Sequence, residues 1–235
     1  MKKTLICIDR DGTLIHDTRE HLFLGRDNDW QEQIGILPHV VEGLRLLNTI
    51  AGVGIYMITN QAGVAISDFP LLTEERAHEV CRYVLAVLKG EGANLAGHFL
   101  CPHATPEYAA RKPTTNFHAH LVHDCHCLKP GLGMVFNALQ AEGITPDNAD
   151  LYVIGDRASD VQTALNLGGT GASSSPLSMS REKAARWQKC TLEITSMSRK
   201  TCLPRRNSSS PACLSVSANR GHEKKRDRRA QWKSD

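Results

Sequence analysis

The chain has 235 residues, 41% of them hydrophobic, and a formal net charge of +3, which suits one domain with an elaboration. No window approaches the roughly 20 consecutive apolar residues of a membrane span, and the short apolar run after Met1-Lys2-Lys3-Thr4, broken at Asp9, does not read as a secretory signal; a cytoplasmic protein without a membrane partner is expected. The charge is divided: residues 1–171 carry 13 basic and 20 acidic side chains, a net of −7, whereas residues 172–235 carry 15 and 5, a net of +10, so the acidic body argues against a nucleic-acid-binding core.

In chain order, Leu5-Ile6-Cys7-Ile8 reads as a buried strand, and residues 16–36 as a polar loop or flap. Pro38 opens a helix with Val40, Val41, Leu44 and Leu47 at helical spacing, and Val53–Ile58 forms a second buried strand ending at Thr59-Asn60-Gln61. Thr73 caps a helix carrying Glu74 and Glu75 near its positive end and Val80, Val84, Leu85 and Leu88 on one face. A short strand near Leu95–Leu100 leads into a region rich in Cys and His. A helix with Met134, Val135, Ala138 and Leu139 follows Pro130-Gly131, then a strand, Leu151–Ile154, and a helix from Ser159 to Leu167. This alternation predicts an α/β fold: a Rossmann-like parallel sheet with helices on both faces.

In such a sheet ligands collect at the carboxyl ends of strands. Asp9 and Asp11, directly after the first strand, face the same side of extended backbone. Two like charges so close call for a cation or a shared proton. Gly12 permits a sharp turn, and Thr13 offers a hydroxyl. The other strand ends supply Thr59 and Asn60, then Lys129, then Asp156 and Asp160. Together they meet the needs of phosphoryl transfer: a nucleophile, a divalent cation, a fixed positive charge and hydrogen-bond donors.

Cys101-Pro102-His103 and Cys125-His126-Cys127 form a second constellation, spanning about residues 101–127. Three thiolates and an imidazole match a closed tetrahedral Zn²⁺ site of structural type. His118, His120, His123 and His126 lie close enough in sequence to replace a named ligand. Cys7 and Cys81 read as small core residues.

The motifs Asp9-x-Asp11-Gly-Thr, Thr59-Asn60, Lys129-Pro130 and Gly155-Asp156-x-x-x-Asp160 resemble, in order, those of the haloacid dehalogenase superfamily of phosphohydrolases. The resemblance implies that Asp9 is the nucleophile forming an aspartyl-phosphate and Asp11 the general acid and base. It further implies that Asp9, the Asp11 carbonyl and Asp156 hold Mg²⁺, that Thr59, Asn60 and Lys129 hold phosphate, and that Asp160 orients Lys129 or a metal-bound water, with Arg157 in support. Cys-Pro-His followed by Cys-x-Cys-x-Lys-Pro is similar to the branch of D,D-heptose 1,7-bisphosphate 7-phosphatases and histidinol-phosphate phosphatases, which carry a short zinc-stapled loop instead of a large cap domain.

Two departures stand out. Both subgroups carry Arg before the motif lysine, where this chain has Leu128, and leucine cannot grip a phosphate bidentately. The 21 residues between His103 and Cys125 also make a long loop. After Gly171 the Val/Ile-rich strand expected of the superfamily is missing, so residues 172–235 read as a disordered or frame-altered tail, whose loss of an edge strand would expose a neighbour. Its run Lys224–Arg229 would attach electrostatically to nucleic acid or an anionic membrane. The expectation is a monomeric phosphatase domain over 1–171, using Mg²⁺ and Zn²⁺ in carbohydrate metabolism. Its expected substrate is a small phosphorylated metabolite, heptose bisphosphate ahead of histidinol phosphate. A zinc-stapled nucleic-acid-binding protein and a polynucleotide 3′-phosphatase are the rivals.

Overall fold

The structure, a computed structural model, describes residues 3–16, 23–168, 170–173, 189 and 191–196. Strand β1 (Lys3–Ile8) shows why a sheet covered on both sides forms. Its alternate side chains Ile6 and Ile8 pack with helices α1 (Val40–Leu47) and α2 (Glu74–Gly90), whereas Leu5 and Cys7 pack with α4 (Gly133–Ala141). That is the strand period of two, apolar on each face. β2 (Val53–Asn60) does the same with Ile55 and Met57 on one side and Tyr56 and Ile58 on the other.

Five parallel strands lie in the order β3-β2-β1-β4-β5, with β3 at Gly97–Cys101, β4 at Ala149–Gly155 and β5 at Thr170–Ser173. β1 lies between β2 and β4, with Ile6 opposite Ile55 and Tyr152. The chain therefore winds one way through β3 and returns to the other side of β1 for β4. The crevice between the carboxyl ends of β1 and β4 is the topological switch point, where ligands of open α/β sheets bind.

Thr73 caps α2 by accepting a hydrogen bond from the Arg76 N–H at 3.1 Å. Val80, Val84 and Leu88 of that helix are fully buried, each contributing roughly 1.5–3 kcal/mol. The polar segment 23–36 is anchored by Trp30, 1% exposed in the α1–α2 core and edge-on to Tyr83. Cys7 and Cys81 are buried core residues, as their apolar surroundings suggest.

The far edge of the sheet corrects one expectation. Thr170-Gly171-Ala172-Ser173 has a single β-branched residue, Thr170, and no Val or Ile, yet it pairs with Tyr152–Gly155 as β5 and covers the edge of β4. Backbone pairing against an apolar neighbour makes the strand, a tertiary effect that outweighs intrinsic propensity. β5 thus ends two residues past Gly171. Residues 191–196 are helical, and Ile194 belongs to the core beside α1 and α2. The rest of the tail, with Lys224–Arg229, lies outside the described residues.

Candidate active site

The loop after β1 begins where Asp9 donates its backbone N–H to the Ile154 carbonyl at 2.8 Å, joining the ends of β1 and β4. Gly12 then takes φ +79°, a left-handed conformation that glycine adopts freely. A Cβ there would collide with the Asp156 carboxylate, with Cγ at 2.8 Å. Glycine is thus what lets the carboxylate after β4 reach the loop after β1. Carboxylate oxygens of Asp9, Asp156 and Asp160 lie within 4.8 Å of one another.

Lys129 enters this cluster from the loop before α4. Its Nζ is 2.6 Å from Asp9 Oδ1 and 2.6 Å from Asp160 Oδ1, all three side chains at most 6% exposed. Asp160 Oδ2 also accepts the Arg157 backbone N–H at 3.0 Å, in the first turn of α5 (Ala158–Asn166). Asp160 therefore couples a helix start to the lysine. Asn60 clasps the other side: its Oδ1 accepts from Lys129 N–H at 2.9 Å, and its Nδ2 donates to the Lys129 carbonyl at 3.2 Å.

The electrostatics follow from burial. Burial pushes the Asp9 carboxyl up to about 7, against the lowering influence of Lys129, with Asp160 and Asp11 adding repulsion. Burial alone would lower the Lys129 ammonium, but Asp9 and Asp160 outweigh it and raise its pKa. The buried carboxylates of Asp9, Asp156 and Asp160 thus share one small region with the Lys129 ammonium. Such an oxygen-only cluster fits a hard divalent cation. Lys129→Met is expected to cost about 3–5 kcal/mol, because it leaves Asp9 and Asp160 without their shared cation. Denaturant unfolding in Mg²⁺-free buffer measures it.

Asp11 is not part of this trio but lines the same pocket. Arg10, 1% exposed, grips it bidentately, Nε to Oδ1 and Nη2 to Oδ2 both at 3.0 Å, and Gln61 Nε2 donates to Oδ2 at 2.8 Å. Burial raises the Asp11 carboxyl, but the Arg10 charge and hydrogen bonds prevail and lower its pKa. Thr59 is fully buried behind the site, its hydroxyl accepting from Gln61 at 2.7 Å.

A small pocket of about 40 Å³ is lined by Asp9, Asp11, Asn60, Lys129, Arg157 and Ser159. It adjoins a larger cavity of about 330 Å³, with Asp11, Asn60 and Arg157 on both walls. Arg10 and Gln61 were not among the residues singled out by sequence. A charged residue between the two motif aspartates and an amide directly after Thr59-Asn60 were the available signals.

The cysteine-rich loop folds as spacing suggests. Cys127 Sγ lies 3.0 Å from Cys101 Sγ and 3.3 Å from Cys125 Sγ, and His103 Nδ1 lies 3.2 Å from Cys127 Sγ. All four ligand atoms fall within 4.8 Å of one another, compatible with a tetrahedral metal whose sulfurs sit about 2.3 Å from the centre. Of the alternative histidines, His123 lies against His103 with ring centroids 4.4 Å apart and the rings tilted by 57°. Burial pushes the Cys101 and Cys127 thiols up.

No family model matches the chain. It is 30% identical over 168 residues to the histidine biosynthesis bifunctional protein HisB of Baumannia cicadellinicola, covering 72% of this chain and 40% of that protein. HisB of Campylobacter jejuni is 30% identical over 211 residues, covering 86% and 52%. The chain spans about half or less of the length of these relatives. Among solved structures, a HAD-like phosphatase from Mesorhizobium loti aligns with a TM-score of 0.60 at 21% identity, covering 83% of this chain and 88% of that one. The chain shares the fold of that structure. A further solved structure, D,D-heptose 1,7-bisphosphate phosphatase from B. bronchiseptica complexed with magnesium and phosphate, aligns with a TM-score of 0.57 at 20% identity, over 81% and 99% of the two chains.

Between β3 and α4 the described residues form the Cys/His loop with helix α3 (Pro106–Ala110). That loop is tied down across the site: Ser67 N–H donates to the Asn116 carbonyl at 3.0 Å, and Asp68 Oδ1 accepts from Asn116 Nδ2 at 2.8 Å. No helix among the described residues is long and apolar enough to cross a membrane.

Proposed function

We propose that this chain is a Mg²⁺-dependent phosphomonoester hydrolase with Asp9 as nucleophile. The observation that carries the reading is the buried trio at the switch point, with Lys129 Nζ 2.6 Å from Asp9 Oδ1 and Asp156 within the same carboxylate cluster. Asp9, the Asp11 carbonyl and Asp156 would hold Mg²⁺, which when bound neutralises charge on the phosphoryl oxygens. The phosphoryl group occupies the small pocket beside Asp9, Asn60 and Lys129, with Arg157 and Ser159 at its rim.

An Asp9 oxygen forms a bond to phosphorus as the ester P–O bond breaks, and Asp11 delivers a proton to the departing oxygen. Asp11 then takes a proton from water, whose oxygen bonds to phosphorus as the Asp9–phosphorus bond breaks. The Arg10 grip keeps Asp11 ionised in the resting protein, the form needed for the second step. A phosphate dianion beside it raises its proton affinity, supplying the acid form needed for the first. Arg10 and Gln61 thus position Asp11. Lys129 positions Asp9 and balances its charge, and Asp160 holds Lys129 in place.

A structural Zn²⁺ held by Cys101, His103, Cys125 and Cys127 staples the loop that walls the larger cavity. For the substrate, the likeness to the heptose bisphosphate phosphatase over 99% of that chain favours D-glycero-D-manno-heptose 1,7-bisphosphate. A second reading, histidinol phosphate, is favoured by the HisB relatives. The test is phosphate release from both metabolites and a 3′-phosphorylated oligonucleotide, with and without Mg²⁺. Mg²⁺-dependent release from the bisphosphate is expected. Release from histidinol phosphate or the oligonucleotide alone would replace the substrate, and release from none would overturn the activity.

A further inference from the structure

The cavity of about 330 Å³ next to the phosphate pocket has room for the part of a substrate that is not being hydrolysed. Among the described residues that line it, Arg10, Arg111 and Arg157 are basic and Asp11 is the one carboxylate. Arg10 and Asp11 already neutralise each other at 3.0 Å. Arg111 makes no side-chain ion pair among the described residues. Among the described residues a cationic substituent would meet no spare carboxylate there, whereas an anionic one meets the Arg111 guanidinium.

Arg111 owes its place to the long Cys/His loop. It immediately follows α3, whose start is fixed by Pro106 in the first turn and by Thr105 Oγ1 accepting from the Tyr108 N–H at 3.1 Å. The Arg111 N–H donates to the Glu107 carbonyl at 3.2 Å, closing the helix. Tyr108 from the same turn lines the cavity, as does Leu128 at the position before Lys129. The residue before the motif lysine therefore offers the cavity no charge, and the Arg111 guanidinium comes from the loop.

We propose that Arg111 is a specificity-determining residue that grips a second anionic group, such as a second phosphate, on the substrate whose first phosphate sits beside Asp9. The inference rests on the phosphatase reading for the first phosphate, but not on turnover. A guanidinium presents paired donors to a phosphate, and leucine at 128 presents none. Loss of such charge-assisted hydrogen bonds corresponds to roughly a ten- to hundred-fold change in affinity.

The test is calorimetric binding to the full-length, zinc-loaded chain in Mg²⁺, in an Asp9→Asn background that cannot turn over its ligand. Glucose 1,6-bisphosphate and glucose 6-phosphate serve as probes, each measured with Arg, Lys and Met at position 111. The expected result is tighter binding of the bisphosphate with arginine. That preference collapses ten-fold or more in Arg111→Met and is partly restored in Arg111→Lys, with unchanged melting midpoints. Equal affinities for the two probes with arginine present, or equal losses for both in Arg111→Met, would overturn the proposal. Should the wild-type chain release no phosphate from any ester while the bisphosphate preference persists and depends on Arg111, the hydrolase reading alone fails.

Discussion

Asp9→Asn is expected to lower kcat by about 10³-fold or more while raising the melting midpoint of the Mg²⁺-free protein at neutral pH. Asparagine matches the aspartate in shape but cannot form the phosphoryl ester. The stability gain follows from burial, since Asp9 is 4% exposed with its carboxyl raised to about 7. In the unfolded chain the same group titrates near about 3.9. Between those values the folded protein binds a proton that the unfolded chain lacks, so its stability falls as pH rises through the window. Asparagine carries no such cost. The advantage of the variant should therefore be absent near pH 4, grow toward pH 7 and level off above it. Thermal unfolding at stepped pH, without Mg²⁺ and without chelator so that zinc stays in place, reads this directly. A variant melting below the wild type at pH 7 would refute the burial argument, and substantial turnover in Mg²⁺ would refute the nucleophile.

The sequence carried more of the fold than of the site's wiring. Apolar runs ending in Asp9, Asn60 and Asp156 located three strand ends, because buried parallel strands are apolar on both faces. The structure brings those ends together at the switch point. β5 was illegible, since Thr170–Ser173 becomes a strand only against β4. Trp30 was hidden in the same way, a lone aromatic in a polar stretch whose burial depends on α1 and α2 meeting over it. Within the site, spacing could not tell that Asn60 spends its amide on the Lys129 backbone, nor that Thr59 faces Gln61. Those partners lie 69 and 2 residues away, and only folding decides between them. Leu128 was visible as a missing charge, but the place of Arg111, directly after α3, emerged only when the loop was placed against the cavity.

Cys127→Ser is expected to empty the Cys/His site and lower the unfolding midpoint by roughly 10 °C, since a structural zinc contributes its binding free energy to folding. The segment from Pro102 to Asp124 has little core of its own: α3 contains no buried residue, and the loop's main tethers are the bonds of Asn116 to Ser67 and Asp68, and of the His118 N–H to the Ala65 carbonyl. Four ligand atoms within 4.8 Å supply the remaining constraint. Serine keeps the shape of Cys127 but supplies no thiolate to zinc. Wild-type protein stripped of zinc by a chelator, then returned to Mg²⁺, should melt with the variant, and both should be cleaved by protease within residues 104–124. A variant that retained stoichiometric zinc, or an unchanged midpoint after stripping, would show that packing against residues 65–68 holds the loop unaided. Because Arg111 and Tyr108 reach the cavity only through this loop, zinc loss should also erase any preference for doubly phosphorylated ligands.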